Sequence, residues 1–72
     1  MNNWISVKDK LPEDGLGVLV VVSGEYQNIT FEMALELANY IKNYGWIIEA
    51  YPEWDNPKVT HWQHLPQAPK GE

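Results

Sequence analysis

The residues able to do chemistry in this chain are few and widely spaced. His61 and His64 lie three apart, Glu53 and Asp55 flank Trp54, and Glu13 and Asp14 form an adjacent carboxylate pair. Histidine is the commonest metal ligand, but a zinc site takes three or four ligands, and no third stands at matching spacing. On a helix two such histidines share a face; on a strand they point to opposite sides. No metal is therefore expected, and His61 is expected to hydrogen-bond to the backbone or pack beside Trp4 or Trp62. Glu53-Trp54-Asp55-Asn56 offers oxygen ligands, yet calcium takes six or more and an EF-hand needs its twelve-residue loop. This segment is expected to be a proline-bounded turn whose Trp54 covers one end of the core.

A catalytic constellation does not emerge. Ser6 and Ser23 lie in no nucleophile motif. There is no cysteine, and Gly15 and Gly17 are an isolated pair rather than a phosphate-binding or dinucleotide fingerprint. The paired carboxylates fall in segments that read as exposed loops, whereas acid–base work needs an enclosing environment. A pocket of several hundred Å³ is also hard to fit into so short a chain. The protein is expected not to be an enzyme and to carry no cofactor.

Aromatic residues are the richer class. Trp4, Trp46 and Trp62 fall in strand-like segments and are expected in the core. Tyr26, Tyr44, Tyr51 and Trp54 fall in loops, where clustered Tyr and Trp either cap a small sheet or form an interface hot spot. The binding residues expected from this pattern are Tyr51, Trp54 and Trp62, with His61 beside them.

Size and charge narrow the classes further. Seventy-two residues make one small domain, with an ordered core expected over about 3–66 and a fraying tail over 67–72. A chain this short buries only roughly 60% of its unfolded surface. It has no disulfide to help, so its large aromatics must supply the core. The net charge is −5, from ten carboxylates against five lysines and no arginine. This disfavours nucleic acid, which needs a basic face, and bidentate phosphate recognition. No basic leader precedes an apolar stretch, and no apolar run approaches the roughly 18 residues of a membrane helix. A cytoplasmic protein is expected, with no membrane partner.

The elements that must position these residues are short. Trp4–Val7 alternates as a strand. Val18–Val22 is β-branched and almost wholly apolar, as a central strand covered on both faces would be. Ser23–Asn28 reads as a loop, Trp46–Ile48 as a strand after the Asn43-Tyr44-Gly45 turn, and Val59–Trp62 as another strand. Ile29–Ile41 is ambiguous. It has helix formers, with Thr30 as an N-cap and Gly45 beyond the end. Yet Phe31, Met33, Leu35 and Leu37 also alternate with Glu32, Ala34, Glu36 and Ala38.

Both ends of the chain carry recognisable motifs: Trp4-Ile5-Ser6-Val7-Lys8-Asp9-Lys10-Leu11-Pro12 at the start, and Val59-Thr60-His61-Trp62 followed by Leu65-Pro66 and Pro69 at the close. With the Val-Leu-Val strand and the Gly45-Trp46 step between them, the chain resembles the family called domain of unknown function 551. These are small bacterial proteins common in phages and prophages. Typical members carry methionine and proline where Gln63 and His64 stand here. The resemblance implies a strand ending in Ala38-Asn39-Tyr40, hence a strand over about 35–41 after a helical turn near Thr30–Ala34. A helix over 31–43 packed on the sheet is the alternative. It supplies no catalytic residues to transfer. The fold expected is mainly β, or small α+β: a single-layer or partly rolled antiparallel sheet of four or five short strands with at most one short helix. Short edges invite pairing, so a homo-oligomer is an expected state. The function expected is non-catalytic: an accessory protein of phage or prophage type that binds a host or phage protein in the host bacterial cytosol. The alternative is a binder that sequesters a metabolite or nucleotide, which lysines converging on one cleft would favour.

Overall fold

A computed structural model describes residues 4–66. They form a five-stranded, wholly antiparallel sheet. The strands are β1 (Ile5–Ser6), β2 (Gly17–Tyr26), β3 (Ile29–Ile41), β4 (Gly45–Ile48) and β5 (Lys58–His64), in the spatial order β1-β5-β2-β3-β4. The sheet does not close, and there is no helix among the described residues.

The ambiguous segment is thus a strand along its whole length, longer than the 35–41 expected. The helix over 31–43 is replaced by pairing with β2 from Gly17↔Asn39 to Tyr26↔Ile29. The helical turn anticipated near Thr30–Ala34 is instead a β-bulge: two steps along β2 from Val22 to Gly24 oppose three along β3 from Ala34 to Phe31. Met33 takes up the extra residue with φ +51°, and the Ser23 hydroxyl accepts its N–H at 3.0 Å. Such bulges absorb one residue at the expense of a local change of phase. The expected loop Ser23–Asn28 is likewise mostly strand. β2 runs on to Tyr26, leaving only Gln27-Asn28 as the turn. Both turn residues have positive φ, +50° and +67°. That is the left-handed pair a two-residue hairpin requires for its twist to match the strands.

β2 is central, as its sequence suggested, but the sheet covers only one of its faces. Val18, Val20 and Val22 are fully buried on that side, beside Ala38 of β3, Ile48 of β4, and Val59 and Trp62 of β5. Among the described residues no second layer of secondary structure packs there. Loops take its place: Trp54 and Tyr51 from the β4–β5 connection lie over Phe31 and Tyr26, and Val7 of the β1–β2 connection packs against the same cluster. The Trp62 indole N–H donates to the Lys10 carbonyl at 2.8 Å, tying this first connection down. The tail expected to fray, 67–72, lies outside the described residues.

Candidate functional site

Of the expected binding residues, Tyr51 and Trp54 are brought together, and Trp62 and His61 are not with them. Trp54 stacks on Tyr26 with ring centroids 5.4 Å apart and meets Phe31 at 4.8 Å. Tyr51 meets Phe31 edge-on at 5.5 Å and Tyr26 at 5.6 Å. Four rings in such tilted and offset contacts are a small core in themselves. Trp54 is only 7% exposed, as expected for a lid on one end of the core. Gly24 makes room for it: a Cβ there would lie 3.3 Å from the Trp54 ring. Trp62 is 1% exposed, with its one polar atom bonded, so it offers nothing to a ligand.

His61 sits on the opposite face of β5. It pairs across to Ser6 and Val21, and its Nδ1 lies 3.0 Å from the Thr60 hydroxyl. His64 points to the covered side, edge-on to Trp62 at 5.1 Å. The two histidines therefore face opposite ways, as strand spacing demands. No group of three His, Asp or Glu side chains is gathered as a metal site would need, among the described residues.

The described residues line at least two clefts. One, of about 310 Å³, is lined by Tyr44, Gly45, Trp46, Asp55 and Asn56. The other, of about 230 Å³, lies at the sheet edge between Glu36, Leu37, Glu49 and Ala50. Neither lining contains a lysine.

The surface with the clearest character is the uncovered sheet face, which composition alone did not single out. Alternation from the register puts Leu19 and Val21 of β2, Leu35 and Leu37 of β3, and Ile47 of β4 side by side there. Leu35 is 60% exposed and Leu37 45%. Their neighbours toward β5 and β1 are His61, Gln63 and Ser6, and toward β4 Asn39. None of these is a carboxylate or a lysine, and Glu49, opposite Leu37, brings one carboxylate to the rim of this face. The charged side chains are displaced to the hairpin tip, where Glu25 and Glu32 lie, and to the edge. The available signal was the apolar alternation of Leu35 and Leu37 itself, which ordinarily marks a buried face. Here it marks an exposed one.

The sheet edge beside this face is also incomplete. β4 pairs with β3 only over Ala38–Ile41, and the last bond on that side runs from the Glu49 N–H to the Leu37 carbonyl. From Thr30 to Glu36, β3 has no strand on that edge, among the described residues.

No curated protein and no solved structure matches the chain. A family model matches residues 3–70, which is nearly all of it, and both end motifs fall within the match. The chain belongs to the family described as protein of unknown function (DUF551).

Proposed function

We propose that this is a non-catalytic binding module whose partner is another protein. The observation that carries this reading is the open sheet face: Leu35 and Leu37 stand exposed beside half-buried Leu19 and Ile47 on an otherwise acidic chain. Apolar patches rimmed by polar residues mark interaction sites on small proteins. The partner envisaged is a host or phage protein in the bacterial cytosol, with the phage context resting on family resemblance alone. Sequestration of a small ligand is less well supported. The larger cleft places Asp55 where a phosphate would need a cation, and no lysine lines it.

The test is capture from bacterial lysate by the full chain and by its Leu37→Lys variant, read by native mass spectrometry. Leu37 is half exposed on a strand, so the variant is expected to fold normally. A protein held by the parent chain and lost from the variant supports the reading. Identical captures from both, or a small added mass that survives in both, overturns it.

A further inference from the structure

We infer that the free edge of β3, from Thr30 to Glu36, binds an extended segment of a partner protein by strand addition, and that this segment carries both apolar and basic residues. This rests on the protein-binding reading above and specifies its mode.

The backbone sets the first requirement. In an antiparallel pair, alternate residues turn both N–H and C=O toward the same neighbour. Leu37 accepts from Glu49, so the odd-numbered residues here face the β4 side. Leu35 therefore presents its N–H and C=O outward where β4 has already ended. Beyond the Met33 bulge the phase changes. The two-residue turn makes Tyr26↔Ile29 a bonded pair facing β2, which leaves Thr30 and Glu32 facing outward. A row of unpaired backbone groups is a template for another strand, and such additions take their affinity from main-chain bonds and their specificity from alternate side chains.

Side chains set the second requirement. On the open face the edge shows Met33 at 72%, Leu35 at 60% and Leu37 at 45% exposure. On the covered side the same edge shows Glu36, which shares a cleft of about 230 Å³ with Glu49. Glu32 adds a third carboxylate toward the hairpin tip. An incoming strand would thus meet apolar side chains with Glu32 among them on the open face, and the Glu36 carboxylate on the other.

Charge also decides against a second copy of this chain. Two β3 edges side by side would bring Glu32, Glu36 and Glu49 from each into a ribbon about 30 Å long. No lysine lies within Ile29–Ile41 to offset them, and each chain carries −5. Like charges across a strand pair are destabilising. A segment that combines lysine or arginine with apolar residues complements this edge.

The experiment titrates a capped peptide, Lys-Val-Lys-Val-Lys-Val-Lys, into the ¹⁵N-labelled full chain at low salt. Controls are the same peptide with its central valine replaced by proline, and the glutamate counterpart. Strand addition should move the amides of Thr30, Glu32 and Leu35 and slow their hydrogen exchange, with neither control doing so. Leu35→Pro removes an outward N–H without touching the β2 ladder, a position where proline is tolerated. It should weaken binding at least about tenfold. If that variant does not fold, Glu36→Gln with Glu49→Gln serves instead and should weaken binding about fivefold. Shifts confined to Leu19, Val21 and Ile47 overturn strand addition while leaving protein binding at the open face in place. Equal binding of either control, or no shift with the lysine peptide, also overturns it. The Leu37→Lys capture then decides the broader reading on its own.

Discussion

The two faces of one sheet obey different rules. On the covered face Val18, Val20 and Val22 interlock with Ile48, Val59 and Trp62, and loops seal what the strands leave open. On the other face residues of equal hydrophobicity, Leu35 and Leu37, stand half in water. Adjacent positions on β2 and β3 thus belong to separate tasks. The covered face supplies most of the small domain's stability, which for a chain this size seldom exceeds about 3–5 kcal/mol. The open face costs little to change and is where function is proposed to reside. The difference teaches that hydrophobicity by itself does not say which residues hold a fold together.

That contrast can be broken in four ways. The largest effect is expected from Trp62→Ala, which removes the biggest fully buried side chain and leaves the Lys10 carbonyl without its donor. A loss of about 3–5 kcal/mol would leave the variant largely unfolded in water, visible by tryptophan fluorescence and circular dichroism. A result under about 1 kcal/mol would show that the loops do not seal the covered face as described. Next come two threonine substitutions compared directly. Val20→Thr should cost about 1–3 kcal/mol, because it buries a hydroxyl with no partner. Leu37→Thr, on the open face, should change urea stability by no more than about 0.5 kcal/mol. Equal effects would erase the distinction between the faces. Gly24→Ala tests how tightly the aromatic lid is seated. Gly24 has φ +130°, and an added methyl would press on Trp54. The expected loss is about 1–3 kcal/mol, with near-ultraviolet dichroism reporting on Trp54. The smallest effect is a gain: replacing Gln27-Asn28 by Asn-Gly suits the positive-φ turn better and should add about 0.5 kcal/mol. A loss there would mean that the turn side chains make contacts beyond their backbone role.

Much of the architecture was legible. The β-branched run at Val18–Val22 announced the central strand, and Trp54 between two prolines announced a lid. The antiparallel sheet and family followed from the end motifs together with the Gly45-Trp46 step. Residues 29–41 were harder, for a physical reason. Met33, Leu35 and Leu37 alternate with Ala34, Glu36 and Ala38, and alternation ordinarily aims the large apolar residues at the core. In the fold it is Ala34 and Ala38 that face inward, while the leucines face out. Alanines face inward there into a cluster whose bulk comes from other segments, Trp54, Tyr51 and Trp46 among them. The bulge at Met33 then reverses the phase, so Phe31 is buried although Leu35 is not. Neither event leaves a mark within the segment, because both are decided by residues far along the chain. The same holds for the candidate site. That His61 and Trp62 lie on opposite faces was implicit in strand spacing. The bare edge of β3 was not, since it depends on where β4 stops.

The order of strands has a consequence for how the chain is made. β2 is flanked by β3, its immediate successor, and by β5, which begins at Lys58. One side of this most apolar strand can be satisfied almost as soon as the Gln27-Asn28 turn exists. Its other side must wait until β5 has been made. At about 5–20 residues per second, translation from Val22 to His64 takes roughly 2–8 s. For that interval the nascent β2–β3 hairpin exposes two bare edges and its future core together. The growing chain is then a better target for chaperones, or for premature strand pairing, than the finished protein ever is.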